Sequence, residues 1–387
     1  MSIADIRVLD LGWVWAGPLV GAAFADLGAD VVKVESSARL DPYRLRGVER
    51  DSRYTAENRH EASPSFHKLN RGKRSLTIDL RNPAGRDLVL RLAEHADLLI
   101  ENFRAGTLAR LGLGWPELRL RNPALVALSM SAGGQVGRWR DMKAYALVTT
   151  ALAGYESLVA YDGEPPVGGA TFGIADPNIS SFGVLAAMAG IWRARRTGNG
   201  THIDLSGVES VVAVLGAALV LHEGATLPSI EITARCAGDD LWLLTALTGV
   251  DDLARLLATI DGTDSAHRWA ELVVSADARA ALHGDVERWT AARDRDDAVK
   301  LLAEAGITVT PVLSLEERNA TAAVRDRTMR IVHPVTGAEP ILQSPWGTVD
   351  VPAPAPRLGE HTDQVLTEWL DLSDAEIAEL RTTGALS

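Results

Sequence analysis

The sequence lacks the features that mark secreted, disulfide-stabilised and membrane-spanning proteins. Its 387 residues include a single cysteine, Cys236, which excludes an intrachain disulfide and fits a reducing compartment. No segment approaches about 18 consecutive apolar residues, and the opening MSIADIRVLDLGWVW has no basic stretch followed by an apolar core. We therefore expect a cytoplasmic protein that is neither secreted nor embedded in a membrane.

Positive charge is also scarce. There are 39 Lys and Arg residues against 51 Asp and Glu residues, which gives a net charge of −12 with histidine neutral. Affinity for nucleic acids requires a broad basic surface that neutralises phosphates, so we expect no nucleic-acid partner. A small anionic ligand would need a local cluster of basic residues.

The common motifs of cofactor, metal and hydrolase chemistry are missing. The turn at residues 12–18 reads GWVWAGP and contains neither GxGxxG nor GxxxxGK[ST], which argues against a dinucleotide or P-loop site. The nine histidines show no HExxH spacing, so we expect no metal site. No Gly-x-Ser-x-Gly elbow surrounds Ser131, since Ser129 stands where the first glycine belongs.

Alternating strand and helix patterns are present instead. Short buried runs predict strands, and longer patterned segments that open near proline predict helices. The predicted strands are 7–11, 31–35, 97–101, 125–130 and 202–205, and the predicted helices are 18–27, 83–95, 177–195 and 208–221. This alternation predicts an α/β fold with a mostly parallel sheet covered on both faces.

The pattern changes from about Glu223. Residues 241–247 predict a strand, and residues 250–304 predict mainly charged, Ala-rich helices. The segment VPAPAP (351–356) should be extended, and two short helices near 362–369 and 373–382 should follow. We therefore expect a second, smaller domain interposed within the larger one.

Two features could carry chemistry, and each has a structural alternative. The segment KLNRGKRSLTIDLR (68–81) could bind phosphates or could be a solvated charged loop. Its basic residues are Lys68, Arg71, Lys73, Arg74 and Arg81. Asp176, in a Gly- and Ala-rich setting before a long apolar helix, could cap that helix or act as a nucleophile beside the helix N-terminus.

Several segments, in order along the chain, resemble the class III CoA-transferase family, also called CaiB/BaiF. They are RVLDLGWVWAGP, FADLGADVVKVE, NRGKRSLTIDLRNPAGRDL, ADLLIENFRAGTLARLGLG, RRTGNGTHIDLS, AGITVTPV and RLGEHTDQVL. The resemblance implies a large Rossmann-like domain of residues 1–222 and 330–387, a small α+β domain of residues 223–329, and an interlocked homodimer.

The resemblance also implies an activity. Such enzymes move CoA from an acyl-CoA to a small carboxylic acid without a metal, through anhydride and thioester intermediates on one aspartate. The matching position here is Asp176. Positions that match CoA-contacting residues of the family are Arg81, Asn102, Phe103, Arg110 and Lys143, with Arg71, Lys73 and Arg74 as weaker candidates. Trp15, Ala16 and Tyr145 match positions near the substrate.

Two other hypotheses about the function stay open on the sequence alone. In the racemase branch of the family, proton abstraction at the α-carbon of a 2-methylacyl-CoA needs a paired acid and base. Here Tyr145 stands where the racemases carry a histidine. The loss of an acidic residue at Ala146 is compatible with a CoA-binding partner subunit that does not catalyse.

Overall fold

Six parallel strands form the central sheet of the larger of two compact units. A computed structural model describes residues 3–160, 165–169, 173–216, 229–260, 269–344 and 350–386. The larger unit consists of Met1–Ser157, Gly168–Val214 and Arg327–Ser387, and the smaller unit of Leu158–Val167 and Leu215–Asp326.

The sheet of the larger unit has the strand order β3-β2-β1-β4-β5-β6. Its strands are β1 (Arg7–Asp10), β2 (Asp30–Glu35), β3 (Arg74–Thr77), β4 (Leu98–Glu101), β5 (Val126–Ser131) and β6 (Thr201–Ser206). The helices that alternate with them are α1 (Ala16–Asp26), α2 (Pro64–Asn70), α3 (Pro83–Glu94), α4 (Thr107–Arg110), α5 (Trp115–Arg121), α6 (Ala146–Leu152), α7 (Ala175–Thr197) and α8 (Gly207–Val214).

The smaller unit is built on a three-stranded antiparallel sheet. Its strands are β7 (Ile230–Arg235), β8 (Trp242–Leu247) and β9 (Thr308–Val312). Its helices are α9 (Val250–Ile260), α10 (Trp269–Leu272), α11 (Ala276–Thr290), α12 (Arg295–Glu304), α13 (Leu315–Ala320) and α14 (Ala322–Arg325). Leu256, Val286 and Leu302 pack from the helices into one buried core, which also contains Cys236.

The chain then returns to the larger unit. A hairpin of β10 (Thr328–His333) and β11 (Gly337–Leu342) is followed by the helices α15 (Thr362–Leu370) and α16 (Asp374–Thr382). Helices α3, α15 and α16 cover one face of the parallel sheet through Leu88, Trp369 and Ile377. Helices α1 and α7 cover the other face through Phe24 and Ile191.

The strand order of the sheet reverses at β1: β2 and β3 are added on one side of β1, and β4, β5 and β6 on the other. Strand β1 pairs with β2 on one side and with β4 on the other, so the loops that follow β1 and β4 leave the sheet in opposite directions. A crevice at the carboxyl ends of the strands is the usual ligand site in such a sheet. The loop that begins at Gly12 and the segment that begins at Asn102 lie at this point.

The predicted parallel α/β fold is confirmed, although the strands β3, β7, β9, β10 and β11 were not predicted. Residues 74–77 were predicted only as part of a basic segment, yet they form β3 and pair with β2. Strand β7 was also not predicted, although its side chains alternate between buried and exposed. The predicted continuation of α8 to residue 221 lies outside the described residues.

Within the described ranges, no helix combines the length and the apolar character that a bilayer crossing requires.

Candidate active site

Asn102 holds the loop that follows β1. Its Oδ1 accepts a hydrogen bond from Trp13 N at 2.7 Å, and its Nδ2 donates to Trp13 O at 2.8 Å. A Cβ at Gly17 would lie 2.9 Å from Gly12 Cα and 3.0 Å from Asn102 Cγ, and this close approach favours glycine there. Asn102, predicted as a CoA contact, therefore also shapes the loop between β1 and α1.

Asp41 stabilises an unusual backbone conformation in the same loop. Val14 has φ of 68°, a region that β-branched residues rarely occupy. Both carboxylate oxygens of Asp41 accept from Val14 N, at 3.1 and 3.2 Å, and its side chain is paired with Lys33 at 3.3 Å. Lys33 also donates to Gly12 O at 2.7 Å. The loop is thus fixed by buried charges before any ligand binds.

A small cavity brings together four of the predicted site residues. It has a volume of about 90 Å³, and Ala16, Asn102, Tyr145 and Asp176 are among its lining residues. The remaining lining residues are Met130, Ser131, Ala132, Ala144, Ala146, Thr149, Ala175, Ile179 and Gly207. Trp15, predicted for the substrate pocket, does not line this cavity, but its ring approaches Gly173 just ahead of α7. We call this space the Asp176 cavity.

Asp176 is the second residue of α7 and does not cap the helix. The N-cap is Ile174, which makes no side-chain capping bond, so the capping interpretation of Asp176 is wrong. Burial raises the pKa of Asp176 to about 6. Among the described residues no donor reaches its carboxylate, in contrast to the buried acids Asp10 and Asp41. Its backbone carbonyl lies 2.6 Å from Ser180 Oγ, which also lies 2.8 Å from Ala16 O and so links α7 to α1.

Trp13, in the loop that begins at Gly12, lines a second and larger cavity. It has a volume of about 430 Å³, and Trp13, Phe103 and three arginines line it. The arginines are Arg39, Arg81 and Arg110. The Trp13 and Phe103 rings meet edge to face with centroids 5.9 Å apart, and the Arg39 guanidinium lies 5.0 Å from the Trp13 ring centre. We call this space the arginine cavity.

Arg39 was not identified from the sequence. It stands four residues after Glu35, which ends β2, and therefore near the carboxyl edge of the sheet. Its position shortly after a predicted buried strand is the feature of the sequence that could have identified it as a site residue. Arg81 and Arg110 were predicted, and the structure places both in the arginine cavity together with Phe103.

Four other predicted basic residues line neither cavity. Lys73 is fully buried, and its ammonium donates to Asp10 at 2.7 Å, to Pro18 O at 2.7 Å and to Asn70 at 2.9 Å. Its three donors are used within the protein, so none is left for a phosphate. Arg71 is paired with the buried Asp26, and Arg74 is paired with Asp30 and Glu368. Lys143 is exposed before α6.

A buried acid supports the segment that carries Asn102 and Phe103. Glu101 Oε2 accepts from Phe103 N at 2.8 Å, and Gln135 Nε2 lies 3.5 Å from Glu101 Oε1. Gln135 in turn accepts from Gly106 N at 3.2 Å, just before α4. Burial raises the pKa of Glu101 to about 7. Its protonation state therefore changes near neutral pH.

We expect Glu101→Gln to stabilise the protein at pH 8 and to change stability little at pH 5. The folded protein holds a proton on Glu101 up to about pH 7, whereas the unfolded chain releases it near the ordinary pKa of 4.5. Stability from this proton is complete below pH 4.5 and is lost as the pH rises through 7. Glutamine stays neutral throughout, so it should gain up to about 3 kcal/mol above pH 7.

Urea unfolding at pH 5 and pH 8 measures this difference. Glu57→Gln, the same change at an exposed position, should show no pH-dependent gain. Equal effects of Glu101→Gln at both pH values would contradict the prediction.

Among the described residues there is no group of three or more metal-ligating side chains. 

Comparisons with known proteins agree over nearly the whole chain. The family model for CoA-transferase family III matches residues 3–362. Succinyl-CoA--D-citramalate CoA-transferase of Chloroflexus aurantiacus is 29% identical, over 97% of this chain and 96% of that protein. Succinate--glutarate CoA-transferase of Agrobacterium fabrum is 31% identical, over 95% of each chain. A crystal structure of a CaiB/BaiF family protein from Brucella suis superposes with a TM-score of 0.79 at 28% identity, covering 95% of this chain and 99% of that one.

Proposed function

This chain belongs to CoA-transferase family III and is a CoA-transferase, and on that premise we propose that Asp176 is its covalent nucleophile. The substrates are an acyl-CoA and a carboxylic acid. The observation that carries the proposal is the Asp176 carboxylate itself, which is poorly hydrated and unpaired among the described residues in a cavity shared with Asn102 and the start of α1.

The reaction proceeds through two anhydrides and one thioester on Asp176. A carboxylate oxygen of Asp176 attacks the donor thioester carbonyl, the C–S bond breaks, and a mixed anhydride and CoA thiolate form. The thiolate attacks the aspartyl carbonyl of the anhydride, which releases the donor acid and leaves an aspartyl-CoA thioester. The acceptor carboxylate attacks this thioester and expels the thiolate again. The thiolate then attacks the acceptor carbonyl, which releases the new acyl-CoA and regenerates the Asp176 carboxylate.

The local environment suits each of these steps. A carboxylate in water is a weak nucleophile because solvent stabilises its charge, and burial of Asp176 removes part of that stabilisation. With its pKa raised to about 6, the group is still mostly ionised at neutral pH. The first N–H groups of α1, at Ala16 and Gly17, have no intrahelical acceptor and would stabilise the oxyanions that form beside Asp176.

The arginine cavity would hold the nucleotide portion of CoA. Its three arginines offer charge-assisted hydrogen bonds to phosphates, and the Trp13 and Phe103 rings offer an apolar surface for the base. The Gly12 loop supplies Trp13 to this cavity and Ala16 to the Asp176 cavity. A single extended ligand could therefore place its phosphates beside the arginines and its thioester beside Asp176. Lys73 and Arg74 are not part of this proposed site.

Chemical trapping tests the covalent role of Asp176. The enzyme is incubated with a panel of acyl-CoA esters, hydroxylamine is added, and the digested protein is examined by mass spectrometry. We expect a hydroxamate on Asp176 alone, formed from the anhydride or the thioester. The same treatment without acyl-CoA is the control. An active enzyme that carries no label at Asp176 would exclude it as the nucleophile.

The domain layout, the oligomeric state and the location belong to the same proposal. We propose a large domain of residues 1–222 and 330–387, a small domain of residues 223–329 and an interlocked homodimer in the cytoplasm. The change of compact unit at Val214 and Arg327 supports the layout. Leu185 and Trp192 on α7 are 69% and 55% exposed, and such an apolar surface supports an interface with a second copy. The single buried cysteine fits a reducing compartment.

A further inference from the structure

The end of β5 brings a serine to the Asp176 cavity. Ser131 is the last residue of β5, so it lies at the carboxyl edge of the sheet. The strands that pair with β5 reach the same space, since Asn102 follows β4 and Gly207 follows β6. All three residues line the cavity together with Asp176. Paired strands, and not a loop, therefore fix the backbone of Ser131.

The Ser131 hydroxyl is buried without a hydrogen-bond partner. No donor or acceptor among the described residues reaches its Oγ. Ser129, two residues earlier on the same strand, is paired with His202 Nε2 at 2.9 Å. Buried hydroxyls are nearly always paired, because an unpaired hydroxyl has lost its hydration without compensation. The exception at Ser131 indicates a role in binding a ligand and not in folding.

The other polar side chains of the cavity are engaged or exposed. Asn102 accepts from Trp13 N and donates to Trp13 O. Thr149 Oγ1 donates to Tyr145 O at 3.4 Å, and the Tyr145 side chain is 77% exposed. Within the described ranges, the cavity thus holds one acceptor without a donor, Asp176, and one buried hydroxyl without a partner, Ser131. The two do not pair with each other.

The group that Asp176 attacks must enter this cavity. Attack requires a carbonyl carbon roughly 3–3.5 Å from the attacking oxygen. The volume of about 90 Å³ accommodates such a group, since one water occupies roughly 30 Å³ in the liquid. The carbonyl oxygen gains negative charge during the attack and needs hydrogen-bond donors in a place shielded from water. A serine hydroxyl turns about a single bond, so it can follow that oxygen.

We propose that the Ser131 hydroxyl donates a hydrogen bond to the carbonyl oxygen of the acyl group that reacts at Asp176 and stabilises the oxyanion formed there. The hydroxyl keeps its proton throughout, so no further acid or base is needed. It adds a side-chain donor to the backbone N–H groups proposed at the start of α1. The role of Ser131 rests on the proposed role of Asp176.

The rate of the loading half-reaction tests this role. Acetyl-CoA, butyryl-CoA and succinyl-CoA are each mixed with the enzyme, and formation of the aspartyl-CoA thioester is followed over time by intact-protein mass spectrometry. The ester that loads the wild type fastest is then used over a range of concentrations. Ser131→Ala should lower the maximum loading rate about 100-fold and change the half-saturating ester concentration less than about threefold.

Thermal unfolding separates this role from a structural one. Ser131→Ala removes a buried hydroxyl that has no partner among the described residues, so the variant should unfold at a temperature no lower than the wild type. Ser181→Ala is the matched control, because Ser181 is exposed on α7 and lines neither cavity. It should load at the wild-type rate.

The outcomes for Ser131 and for Asp176 are distinguishable. A Ser131→Ala enzyme that loads within about fivefold of the wild type, or that loses only affinity for the ester, overturns the role of Ser131 and leaves Asp176 in place. A lower unfolding temperature of this variant would assign the hydroxyl to the fold and also overturn its role. A wild-type enzyme that transfers CoA without forming aspartyl-CoA overturns the Asp176 mechanism, and the inference about Ser131 falls with it.

Discussion

Asp176→Asn is expected to lower kcat/KM for CoA transfer by about four orders of magnitude or more, because the amide cannot form an anhydride or a thioester. The substitution is nearly isosteric, and no hydrogen bond to the carboxylate is lost among the described residues. The arginine cavity, proposed to bind the nucleotide portion of CoA, does not include residue 176 and is unchanged. The loss should therefore appear in kcat, with CoA binding retained when it is measured by calorimetry.

The fold should survive this substitution. Burial raises the pKa of Asp176 from 3.8 to about 6, so the stability that its proton provides is lost as the pH rises between those values. Asparagine carries no charge, and the variant should unfold at pH 7.5 at a temperature no lower than the wild type. Asp176→Ala serves as a second variant that deamidation cannot restore.

Asp87→Asn provides the matched control. Asp87 lies on the exposed surface of α3, contacts Arg121 and lines neither cavity. The control should keep wild-type transfer rates. An Asp176→Asn enzyme that works within tenfold of the wild type would rule out covalent catalysis by this residue.

Arg44→Met is expected to lower the free energy of unfolding by about 3–5 kcal/mol. The Arg44 side chain is fully buried and binds Glu35 through Nε and Nη2, both at 2.8 Å, and Glu61 through Nη1 at 2.8 Å. It also stacks on Phe66, with 3.9 Å between the guanidinium carbon and the ring centre. Methionine fills a similar volume but leaves two buried carboxylates without their cation.

Urea unfolding of Arg44→Met and Arg53→Met separates a buried ion pair from an exposed one. Arg53 is paired with Asp51, and its side chain is 77% exposed, so its loss should cost less than about 1 kcal/mol. Arg44→Lys keeps the charge and should fall between the two. Since the orphaned Glu35 and Glu61 can be protonated, the destabilisation by Arg44→Met should shrink as the pH falls toward 5. Equal costs for the two methionine variants would show that burial does not set the strength of the Arg44 interactions.

Much of the fold could be predicted from short stretches of sequence. Residues 7–11 and 31–35 are short stretches of strand length rich in Val and Leu, and Pro83 marks the first turn of α3 after its Asn82 cap. Such signals are local, because each depends on only a few neighbouring residues. Strand β3 gave a weaker signal, since its four residues follow a run of basic side chains and are recognisable as a strand only through pairing with β2.

The candidate site was predicted in part. Asp176, Asn102 and Tyr145 were proposed from the order of motifs, and they line one cavity. Arg81, Phe103 and Arg110 were proposed in the same way, and they line the other. Motif order identifies such residues because each lies in a segment with its own recognisable pattern. It cannot tell whether a neighbouring side chain points into a cavity or into the core.

The sequence by itself determined that the chain forms a parallel α/β fold, and it identified Asp176 and the Asn102 segment as candidate site residues. Only the tertiary structure decided what the basic residues do. It turned Lys73 inward to Asp10, 63 residues away in the chain, and it brought Arg39 to Trp13. Basic residues cannot be distinguished by role from the sequence alone. The burial of each side chain and its partners depend on contacts between segments that are distant in the chain.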